Sequence, residues 1–410
     1  MSTAVTEPDW LTSRRVGAAE RLDGLELPTF RGVAGWEFTP IDALDLDAYA
    51  PARAGDPDGH GVFDFEGAVR VGGSGAVAAD ATSEGPIVLP IAEAAIRHPE
   101  LVEKHLGTVA KDSPFVARND AHWSDGVFVH VPRGVHVDAP ILVTNVHEQA
   151  GTALHTRTLV VLEEGAEAEI WDQTVSADPE TDGLVNGVVE LVVGPNARLR
   201  YVSAQELNEQ TWVFGAQRAI VARDGHVDWV TLGFGSKNGK VFLETKLDGP
   251  GAHASVTGAY ASRGRQHIDV DTLQEHAAEK TTSDLAFRGI LNDRSSTVWR
   301  GMIQVDEGAQ QTDAFQESRN LLVSKKAHAD AIPGLEILAD DVRCTHAAAI
   351  AQIDPDQLFY LRSRGLEEAQ AKRLVIEGFL EATVERLEDG PIREQVAGAI
   401  EDRLAAVLGA

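Results

Sequence analysis

The chain has 410 residues but only one cysteine, Cys344. A single thiol cannot form a disulfide within the chain, and it excludes every Cys-x-x-Cys zinc or iron–sulfur motif. Such a low cysteine content is typical of a protein in a reducing compartment. If Cys344 binds a metal, its co-ligands must be other residue types or must come from another chain.

Positive charge is also scarce. The sequence has 36 Lys and Arg residues against 64 Asp and Glu residues, which gives a net charge of −28 at pH 7. Such a surface repels phosphate backbones and anionic lipids, so we expect no nucleic acid and no membrane as a partner. No stretch approaches the ~20 apolar residues of a membrane-spanning helix, and residues 1–15 lack the apolar segment of a secretion signal. These absences predict a cytoplasmic protein.

Helical periodicity is missing over some 200 residues in the middle of the chain, where short β-type segments follow one another. Five turn residues each precede an alternating strand pattern: Gly134, Gly165, Asn196, Gly225 and Gly251. The steps between them are 31, 31, 29 and 26 residues. A nearly regular step of this length predicts stacked coils of a β-solenoid. A βα crossover fold would need intervening helices, and a β-sandwich would need turns every ~8–12 residues.

Helical patterns return near the C-terminus. Asp354 followed by Pro355 predicts a helix start, and Gly365 predicts its end. Two further helices with apolar stripes are predicted, from about residue 367 to 387 and from about 392 to 407. We therefore predict a mixed, partly helical N-terminal region at 1–118, a β core at 119–346 and a helical domain at 347–410.

One polar strand could carry chemistry in the β core. His267, Asp269 and Asp271 alternate, so on a strand they would share one face and could bind a cation or act as an acid/base pair. The more common explanation of such a pattern is the solvated face of a strand. Gly235 to Lys240 resembles a phosphate-binding loop but is one residue short and lacks the following Ser or Thr. We therefore expect no nucleotide hydrolysis by this chain.

The second candidate site is Cys344 with His346. On extended chain the two side chains would point to the same side, and thiolate and imidazole are both ligands for iron or zinc. The alternative is a small buried thiol beside a core or capping imidazole. If the pair does bind metal, the remaining ligands must come from another chain.

Several motifs together resemble the SufB/SufD family of SUF iron–sulfur cluster assembly proteins. The most specific is LEILADDVRCTH at 335–346, followed by DPDQLFYLRSRG at 354–365. Upstream segments at 311–314 and 319–322 and the N-terminal LPT and WEFTP motifs at 27–29 and 36–40 extend the resemblance from about residue 27 to the end.

The chain is most similar to the D-type branch of that family. Glu317 aligns with the position of the B-type cysteine, and the Cys344–His346 motif is absent from the B type. After His346 the family usually reads Gly-Ala-Thr, whereas this chain has Ala347, Ala348 and Ala349.

The resemblance implies a mainly β fold, with a right-handed parallel β-helix (β-solenoid) core between N-terminal and C-terminal α-helical regions. It implies a non-enzymatic scaffold subunit that pairs with a SufB-like paralogue and docks a SufC-like ATPase. A transient nascent iron–sulfur cluster would form at the joint surface, with His346 as ligand and Cys344 as supporting or second ligand. The C-terminal helices would dock the ATPase, through the residues Phe359, Tyr360, Arg362, Phe379 and Leu380.

Two rival interpretations stay open at this stage. One is a β-helix polysaccharide lyase or hydrolase that uses Asp269 and Asp271. The other is a homodimer of the same fold that binds no metal.

Overall fold

The structure is a computed structural model of the full chain. It describes residues 7–22, 25, 27–28, 35–72, 79–80, 85–111 and 113–409. Part of the predicted N-terminal motif at 27–29 and the N-terminal end of the chain lie outside the described residues.

The centre of the molecule is a parallel β-solenoid of eight coils, each made of one strand in sheet 1 and one in sheet 2. The strands of sheet 1 are β5 (Val127–Val131), β7 (Thr152–Leu162), β9 (Gly183–Val193), β11 (Thr211–Val221), β13 (Asn238–Leu247), β15 (His267–His276), β17 (Ser296–Val305) and β19 (His328–Ile337). The strands of sheet 2 are β6 (Ile141–His147), β8 (Glu167–Ser176), β10 (Arg198–Glu206), β12 (His226–Gly233), β14 (His253–Ser262), β16 (Thr282–Leu291), β18 (Asp313–Leu322) and β20 (Arg343–Gln352). Each strand pairs in parallel with the equivalent strand of the next coil. The predicted fold, a parallel β-solenoid flanked by helices, is confirmed.

The turns predicted from the sequence mark the coil corners. Gly134, Gly165, Asn196 and Gly251 have φ values of 68°, 69°, 55° and 74°. This left-handed conformation suits Gly and is tolerated by Asn and Asp. At the fourth corner Asp224, one residue before the predicted Gly225, takes the positive φ of 54°.

The alternation of side chains along each strand divides the core into an inner and an outer part. Inward residues of both sheets, such as Leu191, Tyr201, Trp229 and Leu285, form one continuous buried cluster between the sheets. Outward residues of sheet 2, such as Leu232, belong to a second cluster that includes the C-terminal helices.

Four helices and four short strands cover the first coils. They are α1 (Asp9–Leu22), α2 (Ile91–Arg97), α3 (Pro99–His105), α4 (Pro114–His122), β1 (Ala50–Ala52), β2 (Val69–Val71), β3 (Ala79–Asp80) and β4 (Ile87–Pro90). A 3-10 turn spans Leu46–Ala48. The boundary predicted at residue 118 falls inside α4, which packs against the solenoid through Phe115 and Asn119.

A buried ion network fixes the N-terminal helices to the solenoid. Arg157, fully buried on β7, donates to Asp120 on α4 at 2.8 Å and also pairs with Glu190 on β9. Glu190 in turn accepts hydrogen bonds from the backbone N–H groups of Gly107, Val109 and Ala110 at 2.8–3.0 Å. Every charge in this network is therefore compensated by a partner, which is the condition under which buried charge is tolerated.

Three helices follow the last strand: α5 (Pro355–Ser363), α6 (Glu368–Val384) and α7 (Pro391–Leu408). The boundary predicted at residue 346 lies inside β20, which continues to Gln352 because it pairs with β18 residue by residue as far as Leu322. The α6–α7 hairpin packs on the outer face of sheet 2 through Ile376, Val396 and Ile400. None of the helices among the described residues is both long and apolar enough to cross a membrane.

We predict that Arg157→Met lowers the free energy of unfolding by about 3–5 kcal/mol, because it leaves Glu190 buried without its cation and leaves Asp120 with only its more exposed arginine partners, such as Arg14. Urea denaturation followed by tryptophan fluorescence measures the loss. The matched control is Arg133→Met, which removes an exposed pair with Glu164 at 2.8 Å and should cost less than about 1 kcal/mol. Equal losses in the two variants would contradict the role given to the buried network.

Candidate functional site

The last coil of the solenoid has no neighbour on one side. Within the described part of the chain β19 pairs only with β17, and β20 pairs only with β18. Apolar side chains are exposed there, including Leu335 (37%), Ile337 (39%) and Ile350 (45%). We call this surface, formed by β19 and β20, the open end. It presents two unpaired backbone edges above an apolar interior.

Cys344 and His346 both lie on β20 at the open end. In the strand register Cys344 stands beside Ala314 and His346 beside Gln316, and both of these β18 residues are buried. Gln316 in turn stands beside Leu285, a member of the inner cluster. The two side chains therefore share the inward face of the strand, as the alternating spacing predicts.

The two residues have different surroundings. Cys344 is half-buried and packs against an apolar cluster that includes Ile303, Val305 and Ala314. Burial, together with the negative charge of Asp313, raises the pKa of its thiol. His346 is exposed. The imidazole is thus directly accessible, whereas the thiol is held in its protonated form.

Gln316 is the buried β18 residue directly beside His346. Its side chain crosses the interior, and its Nε2 donates to the carbonyl oxygens of Gly301 at 3.3 Å and Gly334 at 3.0 Å. These hydrogen bonds connect β18 to β17 and β19, so they link the two sheets within the last two coils. The position of Gln316 beside His346 was not predicted from the sequence, because it depends on the register between β18 and β20.

The described residues contain no group of three or more His, Cys, Asp or Glu side chains able to hold a metal ion. Cys344 and His346 alone could supply only two ligands, which is fewer than such a group needs. Any metal bound at this position needs ligands from outside this part of the chain, since tetrahedral thiolate and imidazole sites use four.

The other candidate, His267 with Asp269 and Asp271, lies on the outer face of sheet 1. The ammonium group of Lys240 stands 2.7 Å from Asp269 and 3.0 Å from Asp271. His267 bonds Ser296 through Nδ1 at 2.8 Å. The ammonium group of Lys240 thus occupies the space between the two carboxylates. Its position could not be predicted from the sequence, because the sequence does not show that β13 and β15 are neighbours.

A segment from the N-terminal region covers these carboxylates. Thr39 donates to Asp269, Asn238 donates to the carbonyl of Pro40 at 2.8 Å, and Arg300 pairs with Glu37 at 2.9 Å. Trp36 packs against Phe115, Phe214 and Phe242 in the same region. The WEFTP motif is therefore a strap that lies across β11 to β17, and the covered carboxylates offer no open acid/base pair.

Burial, together with the neighbouring charge of Asp269, raises the pKa of Asp271 to about 6, against the opposing effect of Lys240. The folded protein therefore holds a proton on Asp271 at pH values where the unfolded chain has lost it.

Glu317, the residue at the B-type cysteine position, points outward from sheet 2. It accepts hydrogen bonds from Arg288 and, at 3.1 Å, from Arg319. Burial opposes its ionisation, but the hydrogen bonds and positive charges of Arg288 and Arg319 together outweigh burial, so the pKa of Glu317 is lowered. Its carboxylate is thus engaged within the chain.

The five residues predicted to dock an ATPase divide into two groups. Phe359 and Tyr360 on α5 are 73% and 55% exposed, Arg362 is exposed as well, and α5 has no buried residue. Leu380 on α6 is only 3% exposed, and Phe379 packs partly against the same cluster. Leu380 stabilises the α6–α7 hairpin because its side chain faces sheet 2, so it is unavailable to a partner in this conformation.

Comparison with known proteins agrees with this geometry. Residues 144–379 match the family model described as SUF system FeS cluster assembly, SufBD core domain, and residues 74–143 match SufBD protein N-terminal region. The chain belongs to the SufBD family, as its motifs predict.

Within that family the chain is SufD-like. It is 29% identical to the iron-sulfur cluster assembly protein SufD of Bacillus subtilis, over 97% of this chain and 95% of that protein. It is also 29% identical to SufBD family proteins of Staphylococcus saprophyticus, over 73% of this chain and 65% of that protein, and of Staphylococcus epidermidis, over 74% and 66%.

We predict opposite results for two substitutions in the covered carboxylate cluster. Lys240→Met leaves Asp269 and Asp271 without their shared cation and should lower the free energy of unfolding by about 3–5 kcal/mol. Asp271→Asn mimics the protonated form and should keep or exceed wild-type stability at pH 8.

The pH dependence has a definite sign. Because the folded pKa of Asp271 lies at about 6, above its ordinary value of 3.8, the wild type should gain stability relative to Asp271→Asn as the pH falls from 8 to 5. Urea denaturation of both proteins across this range gives the difference. A difference that stays constant, or that changes with the opposite sign, would refute the assignment.

Proposed function

We propose that this chain is a non-enzymatic scaffold subunit on which a nascent iron–sulfur cluster, as cargo, is assembled at a surface shared with a SufB-like paralogue. His346 is the ligand that this chain supplies. The observation that carries the proposal is the position of His346, exposed on the inward face of the open end and part of an incomplete ligand set. A partner seated there would bring the remaining ligands.

The open end suits a partner that is itself a stacked β-structure. Unpaired strand edges with exposed apolar side chains attract further strands, and natural proteins protect or cover them. A paralogue of the same fold could continue both sheets at once. It would also remove Leu335, Ile337 and Ile350 from water, which adds a favourable apolar contribution.

In this proposal Cys344 would bind the metal only after His346 has done so. Its thiol is kept protonated by burial and by Asp313, and thiolate is the form that binds metal. A cationic cluster precursor or a rearrangement of the β20 edge would be required to release that proton. Cys344 therefore serves as a supporting or second ligand, and His346 as the first.

The exposed helix α5 would dock the SufC-like ATPase. Phe359 and Tyr360 are large aromatic side chains on a helix that buries none of its own residues, and aromatic residues with arginine are the usual anchors of protein interfaces. Only Ile353 and Asp354 separate β20 from α5. A movement of the docked ATPase would thus be transmitted to the strand that carries His346.

The site is tested by reconstituting clusters on the complex of this chain with SufB-like and SufC-like partners. His346→Ala should lower cluster yield on the order of tenfold or more, since loss of even an outer-shell partner has effects of this size. His328→Ala is the matched control, because His328 is an exposed imidazole of the same coil, and its one side-chain partner among the described residues is Asp330, at 3.1 Å. Wild-type yield from His346→Ala, in a complex of normal composition, would rule out the ligand role.

Cys344→Ser separates the supporting role from the primary one. We expect a smaller loss of cluster yield than for His346→Ala, because the serine keeps the size of the thiol but cannot supply a thiolate. Size-exclusion chromatography of both complexes shows whether subunit assembly is intact. A larger loss for Cys344→Ser than for His346→Ala would reverse the order of the two ligands.

The docking surface is tested by Phe359→Ala combined with Tyr360→Ala. Affinity for the SufC-like ATPase should fall by roughly tenfold or more, as for central aromatic anchors. Circular dichroism should be unchanged, since both side chains are exposed. The control is Val16→Ala on α1, which changes an exposed apolar residue at the other end of the molecule, and this variant should bind the ATPase with wild-type affinity. Unchanged affinity of the double variant would show that the ATPase docks elsewhere.

A further inference from the structure

The interior of the solenoid contains a cavity of about 110 Å³, which extends from Asp172 in the second coil to Phe287 in the sixth. Gly215 and Gln217 line it, and they share the inward parity of Ala219, a member of the inner cluster. Both residues are only half-buried, although the strands on either side pair with β11. Their free surface therefore faces the space between the two sheets.

Three glycines form part of the cavity wall. Gly187 and Gly215 stand side by side in sheet 1, and Gly233 lies in sheet 2. None of the three has a positive φ. A Cβ atom at position 233 would come no closer than 3.8 Å to Tyr260, its nearest neighbour, and one at position 215 would lie 3.3 Å from Val241. Glycine inside a strand is unfavourable, because its backbone loses the most freedom on folding. These residues therefore keep the cavity open although the backbone conformation does not require them.

Glycines nearer the open end have the opposite surroundings. A Cβ atom at Gly289 would collide with the ring of Tyr260, and one at Gly301 would collide with the ring of Trp299. These two rings and that of Phe287 fill the interior, and the ring centroids of Phe287 and Trp299 are 6.3 Å apart. The cavity is therefore closed toward the open end and is separate from the surface proposed to assemble the cluster.

The side chain of Gln217 brings an unpaired polar group to the cavity. In the strand register it stands between Val189 and Leu243, and its amide makes no hydrogen bond within the described residues. The buried hydroxyl of Ser236, which also lines the cavity, has no hydrogen-bond partner in the same part of the chain. A buried polar group without a partner is unfavourable. Because an amide presents a donor and an acceptor side by side, its complement is a molecule with the same two groups adjacent.

The cavity favours an uncharged ligand of small size. Among the residues that the structure describes, its lining has no Lys, Arg or His, and of its two acidic residues Asp269 directs its carboxylate to Lys240 on the outer face. Burial raises the pKa of the other, Asp172, against the opposing effect of hydrogen bonds from Tyr201 and two further side chains. An ion would therefore lose its hydration without gaining an opposite charge. The volume also lies well below the ~300–1,000 Å³ of sites for drug-sized molecules, so the ligand has the size of one small ring.

We propose that this cavity is a binding site for a small, uncharged, planar molecule that carries a hydrogen-bond donor and an acceptor side by side. The molecule lies against the bare backbone at Gly187 and Gly215 and pairs with the amide of Gln217. The site goes beyond cluster assembly, because it is enclosed within this chain alone and shares no residue with the open end.

Pyrazole is the probe, because its ring is planar, it is uncharged at pH 7, and its N–H and its bare nitrogen are adjacent. Ligand-observed NMR with the full chain should show saturation transfer to pyrazole and a Kd on the order of 1 mM, which is within reach of so small a ligand. Furan is the matched comparison, since its ring has the same size but no donor. It should bind about tenfold more weakly or less, because the amide of Gln217 then stays unpaired.

Two variants locate the site. Gln217→Met removes the amide at nearly constant size, so it should weaken pyrazole binding about tenfold or more and leave furan binding unchanged. Gly215→Ala combined with Gly233→Ala adds two methyl groups to the cavity. It should weaken the binding of both probes about tenfold or more without lowering the melting temperature, since these positions tolerate a Cβ atom and alanine restricts the unfolded chain. The control is Gly17→Ala on α1, where a Cβ atom meets nothing within 4 Å, and it should bind both probes like the wild type.

Any of four results overturns the proposal. The first is no pyrazole binding at tens of millimolar, which would show that the cavity holds only water. The second is equal binding of furan and pyrazole. The third is unchanged pyrazole binding in Gln217→Met or in the double glycine variant, which would place the probe elsewhere. The fourth is a lower melting temperature of the double glycine variant, which would show that these positions are closely packed. None of these measurements involves cluster yield, so a failure here is distinct from a failure of the proposed function.

Discussion

The structure depends on parallel backbone pairing between successive coils. Each strand satisfies its hydrogen-bonding groups on the strands of the coils before and after it, and the aligned inward residues of successive coils then form one continuous core. Because every coil pairs with its neighbours in this way, a coil at either end of the stack has backbone groups and inward side chains with no neighbouring coil. At the beginning of the stack, helices and short strands cover the first coils and are fixed there by Arg157. At the other end the last coil is uncovered, and that is where Cys344 and His346 lie.

The two ends therefore have different chemistry for a physical reason. A covered end can bury charges such as Arg157 and Glu190 because each of these charged groups meets an opposite charge inside the chain. At the uncovered end, the unpaired backbone groups, the exposed apolar side chains and the imidazole of His346 stay available to a binding partner. The contrast explains how a fold with a well-packed core can still present an incomplete ligand set.

Much of this could be predicted from the sequence. The spacing of the turns gave the solenoid, and strand alternation put Cys344 and His346 on one face, because both follow from local geometry. What depends on long-range pairing could not be predicted. Lys240 fills the space between Asp269 and Asp271 only because β13 and β15 are neighbours, and Leu380 is buried only because the hairpin docks on sheet 2. The extent of β20 beyond His346 was also missed, since its alanines favour a helix and only the pairing with β18 makes them part of a strand.

The strap across the outer face of sheet 1 has a consequence for biosynthesis. Thr39 and its acceptor Asp269 are separated by 230 residues in sequence. At ~5–20 residues per second on the ribosome, the strap waits roughly 10 to 50 s before the strands it covers exist. The aromatic partners of Trp36 on β11 and β13, Phe214 and Phe242, are also made only late in that interval. The strap must therefore remain unattached while the early coils stack, so a late step of folding uses one of the first segments made.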